Sequence, residues 1–145
     1  MKILLLGSGE LGKEFTISAK RLGIEVVAVD SYDDAPAMTV SDQREVIDMK
    51  NEEQLTSIVE KHKPDYIVPE IEAINTDVLS KFTDTKIVPS VKAIQLTMNR
   101  DLIRDHFVSI FDKSLTSNYS YVDNYEDFVN KSQNFSLPFV VKPCM

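Results

Sequence analysis

The sequence predicts an α/β fold in which a Rossmann-like parallel sheet carries helices on both faces. Short apolar runs alternate with segments of helical periodicity, and the connections between them are short. That alternation is typical of parallel strands joined by helical crossovers. A chain of 145 residues, 43% of them hydrophobic, is long enough to bury a core of this kind.

Hydrophobic spacing predicts the first two strands and the helix between them. Residues 2–6, KILLL, form a continuous apolar run, as expected of a strand buried on both faces. Apolar residues then recur at helical spacing over residues 10–22, and Gly23 supplies a C-terminal stop. The run EVVAV at residues 25–29 predicts the second strand, which ends at Asp30.

The same alternation predicts the elements of the rest of the chain. Pro64 ends the second long helix, and a break near Asn99 interrupts a later helical segment. A polar segment at residues 113–118 predicts a boundary between a domain at residues 1–112 and the beginning of a second domain at residues 113–145. The predicted elements are strands near residues 45–47, 66–68, 86–88, 119–122 and 138–143, and helices over residues 52–61, 74–81, 91–98, 97–107 with its break, and 125–131.

Composition excludes several classes of function. The net charge of −7 and the pI of about 4.8 argue against nucleic-acid binding, which needs clustered Lys and Arg. No apolar stretch reaches the roughly 18–20 residues of a membrane span, and KILLL is too short for a signal-peptide core. We therefore expect a soluble, cytoplasmic protein with no nucleic-acid or membrane partner.

The cysteine and the histidines indicate no metal site. The chain has one cysteine, Cys144, which excludes an internal disulfide and a cysteine-rich metal centre. His62 and His106 are far apart in the sequence, and both have charged neighbours. We expect both histidines at the surface, and we assign no metal ligand and no catalytic residue.

Three carboxylates follow predicted strands and could line one edge of the sheet. Glu10 follows the first strand, Asp30 the second, and Glu70 the strand Tyr-Ile-Val. In open parallel sheets, ligands collect beyond the carboxyl ends of the strands. The alternative is that each residue is an ordinary solvated or capping acid. This alternative is weaker for Glu70, because Pro69 constrains the loop before it and Glu72 gives the same turn a second acid.

The turn Gly7-Ser8-Gly9-Glu10-Leu11-Gly12 has two interpretations. Its Gly-x-Gly-x-x-Gly spacing, with Asp30 after the next strand, matches a turn that binds a nicotinamide dinucleotide. However, pyrophosphate normally sits at the N-terminus of the helix, and Glu10 occupies that position. Its charge would oppose a pyrophosphate by on the order of 1 kcal/mol. A ligand with hydroxyls or an amine fits this turn better.

Lys142 is a charged residue in the otherwise apolar run FVV. A lysine buried without a partner would cost several kcal/mol. The residues alone leave two alternatives, an exposed strand edge or a position facing an anion.

Five strings together resemble the N-terminal portion of a known enzyme family. They are GSGELGKE, VVAVDSYDDAPAM, KPDYIVPEIEAINTD, LTMNRDLIR and PFVVKPCM, in this order along nearly the whole chain. The chain resembles formate-dependent phosphoribosylglycinamide formyltransferase of purine biosynthesis, a member of the ATP-grasp superfamily. The resemblance implies a Rossmann-like pre-ATP-grasp domain followed by the beginning of an ATP-grasp domain.

The resemblance also implies an activity and residue roles. Enzymes of this family use ATP and Mg²⁺ to convert formate into formyl phosphate and pass the formyl group to the amine of glycinamide ribonucleotide. By analogy, Glu10, Leu11 and Glu70 would contact glycinamide ribonucleotide, with the backbone of Gly7, Gly9 and Gly12 forming the turn. In the same way Arg100 and Lys142 would contact the ATP phosphates, and Asp30 would be a rim residue without an assigned role.

The sequence departs from the family pattern where it ends, after Pro143-Cys144-Met145. The family continues into a glycine-rich loop, an adenine-binding strand and magnesium carboxylates, and none of these has a counterpart here. We therefore expect the isolated chain to be inactive and to bind no cofactor tightly, the other domains being either lost by truncation or supplied by another chain. The resemblance further implies a homodimer. The alternative function is a stand-alone nucleotide- or NAD-binding module with a regulatory or assembly role.

Overall fold

A computed structural model describes residues 1–144 as an alternating α/β chain. Two short 3-10 helices, Pro36–Thr39 and Lys113–Leu115, accompany the main elements. The strands are β1 (Lys2–Leu6), β2 (Glu25–Asp30), β3 (Gln43–Val46), β4 (Tyr66–Pro69) and β5 (Lys86–Ile87), and the helices are α1 (Glu10–Arg21), α2 (Glu52–His62), α3 (Thr76–Leu79), α4 (Val91–Met98), α5 (Arg100–Ile110) and α6 (Tyr125–Ser132).

The strands form one five-stranded sheet in the order β3-β2-β1-β4-β5. Every neighbouring pair is parallel. Leu6, the last residue of β1, pairs with Val29 of β2 on one side and with Pro69 of β4 on the other. The predicted Rossmann-like parallel sheet is therefore confirmed, and the carboxyl ends of its three central strands lie side by side.

The core is built around strands β1 and β2. Residues 3–6 and 26–30 are buried without interruption, as a strand covered on both faces requires. The 3-10 helix Pro36–Thr39, which hydrophobic periodicity does not predict, contributes Ala37 and Met38 to the same core. One core cluster consists of Leu5, Ala19, Val26, Ala28, Ala35, Ala37 and Met38.

Helix α1 packs closely against the chain that precedes it. A Cβ on Gly12 would lie 3.0 Å from the carbonyl oxygen of Gly7, so glycine allows the helix to approach the turn. Thr16 is fully buried, and its hydroxyl donates to the carbonyl of Gly12 at 2.8 Å. The predicted helix is confirmed, but its apolar Leu11 and Leu22 are exposed rather than part of the core.

The prediction that both histidines lie at the surface is wrong for His62. His62 is only 6% exposed, whereas His106 is exposed. The His62 Nε2 atom lies 2.6 Å from Glu45 Oε1 of β3, and Lys61 Nζ lies 2.6 Å from the same oxygen. The buried imidazole therefore has a partly buried carboxylate as its partner. The charged residues beside His62 in the sequence do not indicate this contact.

The structure differs from the sequence prediction most after residue 112. Residues 119–122 and 138–143 are not strands, because no neighbouring strand among residues 1–144 supplies the hydrogen bonds of a ladder. Phe139 instead packs its ring against Phe128 and Phe135, with centroids 6.2 Å apart in both pairs. Apolar runs predict strands correctly only where a partner strand is present.

The chain divides into two compact units, one at Met1–Gln95 and the other beginning at Leu96. The first unit holds the entire sheet. In the second, helices α5 and α6 contain no buried residue. The predicted domain boundary at residues 112 and 113 concerns the start of an ATP-grasp domain and stays a prediction.

No helix within residues 1–144 combines the length and the apolar character needed to span a bilayer. The same part of the chain contains no group of three or more His, Cys, Asp and Glu side chains arranged to hold a metal ion.

Candidate functional site

The sheet topology marks one edge as the place for a ligand. The chain builds β1, β2 and β3 in one direction and then returns to place β4 and β5 on the other side of β1. In open α/β sheets, ligands bind outside the carboxyl ends of the strands at this reversal of order. Here the reversal lies between β1 and β4, directly beside the glycine turn and Glu70.

The glycine turn is held tightly by the end of β2. The N–H of Gly7 and the hydroxyl of Ser8 both donate to the carbonyl of Val29 at 3.0 Å. The N–H of Ser8 donates to Asp30 Oδ2 at 2.8 Å, and the carbonyl of Ser8 accepts from the N–H of Ala37 at 2.9 Å. Ser8 is fully buried, so this residue of the turn belongs to the protein interior although the turn lies at the end of the sheet.

Gly7 makes room for the side chain of Glu70. Its φ of +105° lies in the region that favours glycine. A Cβ at this position would lie 2.8 Å from Glu70 Oε2 and 2.8 Å from Ile71 Cγ2. The absence of a side chain at Gly7 therefore lets Glu70 lie across the turn.

Glu70 carries a buried polar atom that nothing in the described chain satisfies. Its Oε2 atom is inaccessible to solvent, and no group within residues 1–144 forms a hydrogen bond with it. Burial raises the pKa of this carboxyl above its ordinary value of 4.5, and the negative charges of Asp30 and Glu72 raise it further. An unsatisfied buried acceptor is costly, and a ligand that donates a hydrogen bond would remove that cost.

Asp30 is occupied by the protein itself. Its residue is 6% exposed, Oδ2 accepts from the N–H of Ser8, and Oδ1 accepts from the N–H of Ser31 at 2.7 Å. The hydroxyl of Ser31 lies 3.3 Å from the same Oδ1. The structure thus places Asp30 at the predicted edge, but as a buried acceptor for two backbone N–H groups.

Glu10 and Leu11 begin helix α1 at the open side of the turn. Both are exposed, Leu11 to 71%. Gly9 precedes them as N-cap without a side-chain cap, and a Cβ added to Gly9 would meet no atom within 4 Å. A cleft of about 560 Å³ lies beside this helix, and its lining residues are Leu5, Leu11, Glu14, Phe15, Ser18, Val68, Pro69 and Glu70.

Arg100 and Lys142 lie in the second compact unit. Arg100 Nη1 donates to the carbonyl of Pro143 at 3.1 Å, and the backbone N–H of Arg100 donates to the carbonyl of Cys144 at 2.9 Å. Lys142 is exposed and lies outside any strand. These bonds attach Arg100 to the segment that contains Lys142, so the two predicted phosphate-binding cations belong to one local structure.

The sequence indicates neither the burial of Ser8 nor the apolar wall of the cleft. Ser8 stands between two glycines, and its burial follows only from the approach of β2 and of Ala37. Phe15 and Val68 line the cleft from different elements, α1 and β4. Helical periodicity marks Phe15 as an apolar position, but it does not show whether that position contacts the core or a cleft.

The family model described as "Ribonucleotide synthetase preATP-grasp domain" matches residues 1–98. The chain is 53% identical to the formate-dependent phosphoribosylglycinamide formyltransferase of Hydrogenovibrio crunogenus. The match covers 99% of this chain and 37% of that protein, so the chain spans well under half the length of this relative. The resemblance predicted from the sequence strings is confirmed.

Solved structures show the same fold. The structure described as "glycinamide-RNase-transformylase T" from Mycobacterium tuberculosis has a TM-score of 0.72 and 34% identity, over 77% of this chain and 35% of that one. The N5-carboxyaminoimidazole synthase of Aspergillus clavatus, solved with ADP and 5-aminoimidazole ribonucleotide, has a TM-score of 0.66 and 30% identity, over 75% of this chain and 29% of that one. The chain belongs to the ribonucleotide synthetase preATP-grasp domain family.

Proposed function

We propose that this chain is the substrate-side portion of an ATP-dependent formyltransferase that converts glycinamide ribonucleotide and formate into formylglycinamide ribonucleotide. In the proposed reaction ATP phosphorylates formate, and the amine of the ribonucleotide then attacks formyl phosphate and releases phosphate. The isolated chain contributes the ribonucleotide site and is inactive alone. The identity to the curated formyltransferase supports the assignment of the reaction.

The unsatisfied Oε2 atom of Glu70 is the observation that carries the proposal. It lies against the glycine turn at the reversal of strand order. A carboxylate accepts hydrogen bonds from hydroxyls and from amines, and a ribonucleotide with an amino-acyl group offers both. We assign to Glu70, Glu10 and Leu11 the contacts with glycinamide ribonucleotide, and to Gly7, Gly9 and Gly12 the backbone approach that these contacts need.

The environment of Asp30 argues against the nicotinamide alternative. A dinucleotide-binding acid must present its carboxylate to ribose hydroxyls. Asp30 is buried and accepts hydrogen bonds from Ser8 and Ser31 instead. Glu10 and Glu70 add negative charge around the turn where a pyrophosphate would bind, and like charges oppose one another in a partly buried site.

We propose that the ATP phosphates contact residues of the second unit. Arg100 and Lys142 would neutralise phosphate charge, because phosphoryl transfer depends on positioning and charge compensation. The Aspergillus clavatus relative was solved with ADP, which supports nucleotide use in related proteins. Mg²⁺ would enter with ATP, and no residue of this chain is assigned to it. We further propose a cytoplasmic location, a homodimer, and an ATP-grasp portion either continuous with this chain or supplied by another.

Ligand titration tests the proposal. Calorimetry and thermal unfolding of the chain are expected to show binding of glycinamide ribonucleotide and none of NAD, because a ligand selective for the native state raises apparent stability. Glu70→Ala is expected to abolish the shift. Glu53→Ala, which removes an exposed carboxylate of α2, is the control and should leave the shift unchanged. Stabilisation by NAD alone would refute the proposed function.

A further inference from the structure

Asp30 holds the glycine turn by one hydrogen bond, which joins two almost completely buried residues, Asp30 and Ser8. Its Oδ2 accepts from the N–H of Ser8 at 2.8 Å, and its Oδ1 accepts from the N–H of Ser31 at 2.7 Å. Ser8 is 0% exposed and Asp30 is 6% exposed. Hydrogen bonds to an ionised acceptor are shorter and stronger than neutral ones. The carboxylate therefore joins the end of β2 to the turn that follows β1.

The turn that Asp30 holds is followed directly by Glu10 and Leu11, which are proposed to contact the ligand. Ser8 is bound through its N–H to Asp30, through its hydroxyl to Val29 and through its carbonyl to Ala37. Gly9 follows as the N-cap of α1, and no side chain caps this helix. The position of Glu10, the first residue of the helix, therefore depends on the backbone at Ser8.

We propose that Asp30 is a positioning residue, which orients Glu10 and Leu11 toward the ligand by fixing the backbone of Ser8 through its carboxylate. This inference rests on the proposed function for the identity of the ligand. Asp30 itself does not touch the ligand, because its oxygens face the protein. Its role differs from that of the ribose-binding acid that the sequence spacing suggests.

Asp42 offers a matched control at the opposite edge of the sheet. Its Oδ2 accepts from the backbone N–H of Val26 at 2.9 Å, and its Oδ1 forms an ion pair with Lys20. Val26 lies near the start of β2, whereas Asp30 lies at its end. Asp42→Ala thus removes a carboxylate that binds a backbone N–H of the same strand and whose hydrogen-bond partners, Val26 and Lys20, lie outside the glycine turn.

The experiment compares Asp30→Ala, Asp30→Asn and Asp42→Ala in the full chain. Amide hydrogen exchange of Ser8 is expected to be at least tenfold faster in Asp30→Ala and unchanged in Asp42→Ala. The Kd for glycinamide ribonucleotide should rise at least tenfold in Asp30→Ala and less than twofold in Asp42→Ala. Asp30→Asn keeps one oxygen acceptor without the charge, so both effects should be intermediate.

The outcomes separate positioning from other roles. Unchanged Ser8 exchange in Asp30→Ala, or an unchanged Kd despite faster exchange, would overturn the proposal. Equal loss of affinity in Asp30→Asn and Asp30→Ala, with Ser8 still protected in Asp30→Asn, would assign the effect to charge and also overturn it. If Asp30→Ala does not fold, Ser8 exchange and the Kd are compared between Asp30→Asn and the parent chain, and unchanged values of either one would overturn the proposal. A parent chain that binds no glycinamide ribonucleotide refutes the proposed function, and Ser8 exchange alone then decides whether Asp30 fixes the turn.

Discussion

At the scale of single residues, the candidate site depends on a glycine and a carboxylate that share one small space. Gly7 has a φ of +105°, and Glu70 Oε2 would lie 2.8 Å from a Cβ at this position. The sequence predicts both residues as site residues for separate reasons, the turn motif and the acidic loop after a strand. Their contact results from the pairing of β1 with β4, which brings the two loops together.

We predict that Gly7→Ala destabilises the protein and moves Glu70. The unfavourable backbone conformation alone should cost about 1–3 kcal/mol, and the close approach to Glu70 and Ile71 adds to it. Gly9→Ala is the control, because its φ is −68° and its Cβ would meet no atom within 4 Å. We expect its effect to stay within about 1 kcal/mol. Urea denaturation measures the free energy of unfolding of both variants. Equal stability of Gly7→Ala and Gly9→Ala would contradict the prediction.

At the scale of elements, a contact between buried His62 and partly buried Glu45 joins the end of α2 to the sheet. His62, the last residue of α2, contacts Glu45 of β3, and Lys61 contacts the same carboxylate oxygen. Burial by itself would raise the pKa of Glu45, but the hydrogen bonds from Lys61 and His62 outweigh it, and the pKa lies below its ordinary value of 4.5. The ionised carboxylate therefore stabilises the folded state.

We predict that Glu45→Gln lowers the free energy of unfolding at neutral pH by about 1–3 kcal/mol, as for loss of hydrogen bonds to a charged group. Because the folded-state pKa is lowered, the contribution of Glu45 is present above pH 4.5 and is lost as the pH falls through the folded-state pKa. The difference in unfolding free energy between the parent and the variant should therefore shrink as the pH falls below 4.5. Denaturation at several pH values measures it.

The control for this experiment is Glu52→Gln. Glu52 pairs with Lys81 at 2.5 Å, but both side chains are more than half exposed. Exposed pairs contribute less than about 1 kcal/mol. A loss at Glu52 as large as that at Glu45, or a difference at Glu45 that does not shrink as the pH falls below 4.5, would show that the contact with His62 and Lys61 is not the cause.

At the scale of the whole molecule, burial is distributed unevenly between the two compact units. The unit at Met1–Gln95 contains the sheet and its buried strands. In the second unit, α5 and α6 bury no residue, and apolar side chains such as Ile110, Phe111 and Val141 are exposed. Local stability follows buried apolar contact, so the second unit should open first.

We predict that limited proteolysis cuts the chain first beyond residue 96. Thermolysin cleaves before large apolar residues, and Leu102, Ile110 and Val129 are exposed in helices without buried residues. A fragment containing β1 to β5 should accumulate. Mass spectrometry of the early products identifies the cuts, and initial cleavage within β1 or β2 would contradict the prediction.

The sequence predicts the features that depend on residues close together in the chain, and it fails for those that depend on distant ones. Strands β1, β2 and β4 and helices α1, α2 and α6 follow from local periodicity, and the glycine turn and Glu70 follow from their places after strands. The strands predicted at residues 119–122 and 138–143 are absent from the structure, because a ladder needs a partner that local sequence does not specify. The burial of His62 was missed for a similar reason, since Glu45 is distant in sequence.

The sequence by itself determined the fold class, the order of the elements and which carboxylates follow the strands. These properties depend on the alternation of apolar and polar residues along the chain, which is visible without any contact. Only the tertiary structure decided which carboxylate remains available for a ligand. Strand pairing buries Asp30 against the N–H of Ser8 and leaves Glu70 Oε2 without a partner among residues 1–144, and such hydrogen bonds form only between segments that folding brings together.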